Sequence, residues 1–317
     1  MNEALMDPQH TMRAGDALRQ ELARGDMALA GVAPVLSHLL SSPGQALVSE
    51  DVLARMRGML GDLARQLLVA YAEAAGNASP PTTEARAALA SVLATSGILV
   101  SHCYALAMES QLSERLEQGG AIDQVLTPLL QELIASPEEA VAELAMATMS
   151  AQARFVQAQR RMDLPLGELP AELFLEVLAL ARQTDGVSAE DKVRADQRLR
   201  VHYDESTGRL GLLTRLVGGL AGGIRAALDL DHAGVALFAT ALARATRQPR
   251  ELAILSCHER QLVRLALGLR SAGLKPADVA RQFVLIHGDM PVPEGLAEIA
   301  PEEALALLQG ASSGRGG

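Results

Sequence analysis

Five times along the chain, a proline is followed within two residues by a carboxylate and then by apolar residues at helical spacing. These are Pro137 before Glu138 and Glu139, Pro170 before Glu172, Pro249 before Glu251, Pro276 before Asp278, and Pro301 before Glu302 and Glu303. A proline at the first helical position loses no bond, because that N–H is unpaired in any helix. A carboxylate in the first turn meets the positive end of the helix dipole. Ser188 with Asp191 adds a start of the capping-box kind. The residues that follow keep the helical period, as in Leu173, Val177 and Leu180, and no stretch alternates as a half-buried strand does. The expected fold is all-α, an irregular multi-helix bundle or helical stack without a β-sheet.

Composition agrees. Half of the 317 residues are hydrophobic (49%) and only 2% are aromatic, with no Trp. The interior must therefore be filled by Leu, Ala, Val and Met, which suit helix packing better than strands. A net charge of −10 repels phosphate, so nucleic acid is not an expected partner. Two cysteines make no disulfide framework and MNEALMDPQH is too polar for a signal peptide, so the expected location is the cytoplasm. The stretch from Ala87 to Met108 holds no Asp, Glu, Lys or Arg and is long enough to span a bilayer. Wound as one helix, however, it puts Ser91, Thr95 and His102 on a single face with Glu109, while Leu89, Val92, Leu93, Val100 and Cys103 lie opposite. That one-sided stripe reads as a central helix of a soluble bundle, with no membrane partner.

Two Pro-rich interruptions, Asn77 to Thr83 and Asp163 to Pro170, punctuate the chain. The second is the better boundary. It divides an N-terminal helical region (1–165) from a C-terminal helical bundle (166–290), followed by a short helix and flexible tail (291–317). In the C-terminal half, Gly186 offers the positive φ that a tight turn needs, and the glycines of Val217 to Gly223 end or bend a helix. A long helix is expected to run from Leu252 through Leu274.

Candidate chemistry is sparse. None of the histidines (His10, His38, His102, His202, His232, His258, His287) has Glu three residues before it, or an acid or His four away on either side, so no metal site is expected. The nearest match is Asp229 before His232, in what reads as a helix junction, where a capping role for the acids fits better than ligation. Without C-x-x-C pairs there is no structural zinc pattern. Gly310 to Gly314 spells G-x-S-x-G, but in a Gly/Ser-rich end rather than a strand–turn–helix. The Gly-rich run before Arg225 lacks the Lys-Ser/Thr ending of a phosphate loop. No cofactor is implied. Arg225, Asp229, Asp231 and His232 are the candidate small-molecule-binding or catalytic group. His202, flanked by Arg198, Arg200, Asp204 and Glu205, is the candidate phosphoacceptor, although no phosphoacceptor motif surrounds it.

The stretch LSCHERQ (Leu255 to Gln261) sets a nucleophile, a base and a carboxylate in a row. Adjacent residues on a helix point about 100° apart and do not converge. As part of one long helix, His258 would face the apolar stripe and Cys257 would turn toward Gln261 and Arg264. In SHCYA the facing is reversed, with Cys103 inward.

LLTRL (Leu212 to Leu216), VALFATALARATRQP and LVRLALGLRSAGLKP give the segment 169–288 its character. It resembles an uncharacterised bacterial family of all-helical proteins, domain of unknown function 2336. That resemblance implies a helical fold and supplies no catalytic residues. LARQTDGVSAED is similar to the TerB-like helical domains, but Thr184 stands where their turn has Ala and the acidic metal-binding set is incomplete. The functional expectation is a non-catalytic helical interaction or regulatory protein that engages a protein partner or a second copy. Amphipathic helices and Met pairs such as Met56 with Met59 and Met146 with Met149 support it. The alternative is an all-α small-molecule binder or enzyme at the Asp229–His232 junction.

Overall fold

The computed structural model describes residues 8–41, 49–77, 79–119 and 122–313, with side chains at 15–37, 49–77, 79–119 and 122–310. Among them are fifteen α-helices and no strand. In chain order the first seven are α1 (Pro8–Ala30), α2 (Val32–Ser41), α3 (Glu50–Ala74), α4 (Thr83–Leu93), α5 (Gly97–Gln118), α6 (Pro128–Ile134) and α7 (Glu139–Arg160). Then follow α8 (Ala171–Ala181), α9 (Ala189–His202), α10 (Arg209–Gly218), α11 (Leu230–Thr246), α12 (Arg250–Ser256), α13 (Leu262–Ser271), α14 (Pro276–His287) and α15 (Pro301–Ser313). The tail beyond Ser313 lies outside the described residues, as do the side chains of His10 and His38; Gly310–Ser313, read from sequence as tail, belong to α15.

Four of the five proline starts adjoin a helix directly, in two ways, while Pro137 stands two positions before α7. Pro276 and Pro301 are first helical residues, while Pro170 and Pro249 stand one position earlier, as N-caps. Pro128 opens α6 in the same way, unanticipated because no acid follows it. Ser188 caps α9 as expected, its Oγ accepting from the Asp191 N–H at 3.1 Å.

Two expected helices are broken. The charge-free stretch is not one helix: α4 and α5 meet at a bend of 101° across residues 94–96. Thr95 Oγ1 bonds the Val92 carbonyl at 2.7 Å, and Ser96 Oγ accepts from the Leu99 N–H at 3.1 Å, which starts a new helix. No single described helix is long and apolar enough to cross a membrane. The polar stripe drawn for one continuous helix therefore does not exist, and His102 and Glu109 are both buried. The run from Leu252 to Leu274 is likewise two helices, α12 and α13, separated by residues 257–261.

The helices form two compact units, each assembled from separated stretches. One comprises Val32–Ser110 and Glu143–Arg215; the Pro-rich stretch Asp163 to Pro170 lies inside it. Its axis is α3, whose Met56, Met59, Leu63, Leu67 and Tyr71 are all fully buried among α4, α8 and α9. Met56 and Met59 are thus core residues rather than a binding surface, whereas Met146 is exposed. At the turn between α8 and α9, Gly186 takes φ +88°. There Lys192 Nζ bonds the Arg182 carbonyl at 3.1 Å, and Arg182 Nε pairs with Asp196 at 2.6 Å. Burial, and then the Asp196 carboxylate, push the Tyr71 hydroxyl well above its ordinary range.

The most buried charges of this unit are Arg209 and Glu109, an ion pair whose side chains are 2% and 1% exposed. The Arg209 guanidinium lies over the Phe155 ring, 3.6 Å from its centroid. A cation over an aromatic face gains from the ring quadrupole, and the pair neutralises two charges taken out of water. Removing one partner leaves the other charged and desolvated.

The other unit comprises the described parts of Met1–Gly31, Gln111–Ala142 and Leu216–Gly317. Here α11 and α13 are the inner helices, with Phe238, Leu242, Leu265, Leu267 and Leu269 buried. Gly234 lets α11 kink: its φ is +72°, and a Cβ there would collide with the Thr127 side chain. At the end of α13, Arg270 donates to the Leu274 and Ile299 carbonyls, each at 2.6 Å, so its buried charge meets carbonyl oxygens.

The Arg209–Glu109 pair yields the first prediction. Arg209→Met alone is expected to lower the unfolding free energy by about 3–5 kcal/mol, and adding Glu109→Leu should restore most of that loss. Urea unfolding of the two variants checks it; equal stability of Arg209→Met and the parent would contradict it.

Candidate functional site

In the second unit, α1 and α15 flank a groove of about 580 Å³. On α1 its lining falls at helical spacing: Arg19, Leu22, Ala23, Asp26, Met27 and Ala30. On α15 it is Glu303, Ala306, Leu307 and Gly310. Both stripes follow the i, i+3, i+4, i+7 pattern that puts residues on one helical face. Leu22 (2% exposed) and Leu307 (7%) form the floor, while Met27 stands 69% exposed on the wall. Ala23, Ala30, Ala306 and Gly310 keep the walls low, so backbone is close to anything that enters.

The α1 wall is held from below by the start of α13. Gln261 Nε2 donates to the Gly25 carbonyl at 2.8 Å, and Arg264 pairs with Asp26. Gly25 leaves room for this approach: a Cβ on it would lie 2.7 Å from Gln261 Oε1, so the amide would have to shift. Gln261 and Arg264 are both buried. From sequence they read as a polar face; in the structure that face is the seat of α1. The charged residues that line the groove are Arg19, Asp26 and Glu303. Arg19 pairs with Asp16 along α1.

LSCHERQ is the joint below this seat. Cys257 ends α12 and is buried, with Sγ 3.6 Å from the Ala253 carbonyl. His258 is not on a helical stripe. It caps the turn Glu259–Gln261, its Nδ1 accepting from the Arg260 N–H at 3.2 Å. Burial, and then nearby Arg115 with His258, hold the His287 imidazole down to about 4. Arg115 itself donates to the Ile286 carbonyl at 2.8 Å. This gathering of His258, Glu259, His287 and Arg115 from three elements has no linear signature, because its members lie far apart in sequence. Cys103 has no partner chemistry of this kind, and burial pushes its thiol up to about 12.

The Asp229 junction is partly assembled. The Asp229 carboxylate takes bonds from Arg281 Nη2 at 2.9 Å and Gln282 Nε2 at 3.1 Å. Its side chain makes no cap bond to α11; buried Gln282 of α14 does so instead, its Oε1 accepting from the Leu230 N–H at 2.9 Å. Burial raises the Asp229 pKa, but hydrogen bonds from Asp231 and Gln282 and the Arg281 charge outweigh it and leave the carboxyl below its ordinary value. Asp231, bonded to Asp229, is raised in turn. His232 Nε2 meets Glu132 Oε1 at 3.0 Å. Arg225 is tied elsewhere, with Nε 3.3 Å from the Ala272 carbonyl. His202 is exposed, and its Nδ1–H donates to the Arg198 carbonyl at 2.8 Å. Among the described residues no three His, Cys, Asp or Glu side chains converge as a metal site.

Comparison with family models, curated proteins and solved structures returns no match to this chain. What fold and site define together is an all-α chain with an amphipathic groove between two helices.

Asp229 tests whether its junction is held by hydrogen bonding or by charge. Asp229→Ala leaves the buried Gln282 amide without its acceptor and is expected to cost about 1–3 kcal/mol. Asp229→Asn keeps an acceptor and should cost less. Thermal unfolding of the two variants decides, and equal losses would contradict the hydrogen-bond account.

Proposed function

We propose that the chain is a non-catalytic helical interaction protein, and that the α1/α15 groove receives a basic amphipathic helix of a protein partner. The groove itself carries this reading. Two helical stripes with an apolar floor and small-residue walls are complementary to a third helix that presents apolar anchors at i, i+3, i+4 and i+7. Exposed Met27 adds an unbranched, polarizable side chain that adapts to different anchors. Two acids against one arginine in the lining and the net charge of −10 favour lysines and arginines on the outer face of the incoming helix and speed their encounter. We further propose the kinship of 169–288 to the bacterial all-helical domain of unknown function; the helical character of that segment, from α8 to α14, supports it.

A designed 18-residue peptide of Leu and Lys in an amphipathic pattern is the probe, titrated into the isotope-labelled protein and followed by NMR. Saturable shifts are expected at Leu22, Met27 and Leu307, with affinity weakened at least tenfold by Ala306→Arg, which fills the groove and adds repulsive charge. The same peptide with Glu in place of Lys should not bind. Equal binding to Ala306→Arg, or shifts elsewhere on the protein, would overturn the reading.

A further inference from the structure

The joint that seats α1 is capped by a histidine, a side chain that can take up a proton. His258 caps the turn Glu259–Gln261 through Nδ1, which accepts the Arg260 N–H. An acceptor nitrogen must be unprotonated; an imidazolium carries N–H at both ring positions and can only donate. The last residue of that turn, Gln261, is the one that holds Gly25 of α1. The cap bond and the α1 wall are thus three residues apart, in one rigid piece of backbone: the Gln261 N–H bonds the His258 carbonyl at 2.8 Å.

We propose that His258 is a proton switch for the groove: neutral, it caps the turn that seats α1; protonated, it releases the turn and with it the Gln261 hold on Gly25. This rests on the groove being the docking site for its biological consequence, but not for the structural change itself.

The surroundings decide that a proton is unwelcome there. Facing His258 are Glu259 and Arg260 on its own segment, Arg115 from α5 and His287 from α14; on α1, Asp26 is held by Arg264. One carboxylate thus stands against two guanidiniums and a second imidazole. His287 is similarly committed to its neutral form, with its ring packed on Phe283 at 5.6 Å and its Nε2 sealed from solvent without a hydrogen-bond partner. Burial, and then the arginines, lower the His258 pKa below that of free imidazole despite Glu259. The sign follows. A base whose pKa is lowered in the folded form binds its proton more readily when released. The seated state is therefore fully favoured above the free-histidine value of about 6.5 and loses ground as pH falls below it. His287 does not enter this step, because opening of the turn leaves its ring packed on Phe283 within α14.

Hydrogen exchange of the full chain, without any peptide present, reads the switch directly. Between pH 7.5 and 5.5, after correction for intrinsic exchange, protection of α1 amides over residues 18–30 should fall at least fivefold, while α11 amides over 235–242 hold. In His258→Asn, whose side-chain oxygen is a cap acceptor that does not titrate, α1 should stay protected at both pH values. His287→Asn should keep the parent response, since release of the turn does not free the ring of His287 from α14. Unchanged α1 protection in the parent, or the same fall in His258→Asn, would overturn the proposal. Because the readout contains no ligand, failure of the Leu/Lys peptide to bind would sink the docking reading and leave this one standing. Peptide binding with pH-independent exchange would do the reverse.

Discussion

The groove depends on one contact: α1 lies where it does because α13 offers it Gln261 and Arg264 instead of leucine. Arg264 is almost wholly buried, and its partner Asp26 nearly so. A pair of that kind contributes little net stability compared with apolar packing, but either member alone would cost about 3–5 kcal/mol. It therefore works as a registration device. A slide of α1 by one residue would strand Arg264, and would also bring a side chain in place of Gly25 onto Gln261. Leu22 and Met27 are presented toward α15 only in the register that satisfies these polar groups.

Arg209 and Glu109 bring the same logic to the other unit, where a fully desolvated pair with an aromatic lid sits among Leu and Met. A core built almost without aromatics has few shapes that lock helices in a unique arrangement, since Ala and Leu surfaces pack in many near-equivalent ways. Buried charges with a single satisfactory partner supply the specificity that such a core lacks. Arg270, anchored on two carbonyls, and Gln282, capping a neighbouring helix, extend the pattern.

Helix starts were legible in the sequence because they depend on a few adjacent residues: Pro276 with Asp278, or Ser188 with Asp191. Helix interruptions were less so. The break at Thr95-Ser96-Gly97 carries a local signal, a serine cap followed by glycine, that is outweighed by the apolar run around it. The break at His258 has almost none, since histidine is an unusual cap and nothing near it is Gly or Pro. Continuous helical wheels drawn through both places misassigned facing, which is why Gln261, Arg264 and Glu109 read as outward and are buried. The groove was hidden for another reason. Its walls come from opposite ends of the chain, and a stripe such as Glu303, Ala306, Leu307 and Gly310 resembles any other surface stripe until its neighbour is known. Asp229 and Asp231 were found by their spacing from His232, yet their partners Arg281 and Gln282 lie some fifty residues on.

α1 is seated in one register on Gln261 and Arg264, so the groove is already formed in the free chain. Spin labels at Ala28→Cys and Glu302→Cys, with Cys103 and Cys257 replaced by alanine, allow the α1–α15 separation to be measured by pulsed electron resonance at pH 7.5. A single narrow distance distribution, broadened when Arg264 is replaced by leucine, is the predicted result. A broad distribution in the otherwise native chain would mean that α1 is not fixed on α13 and would contradict the account.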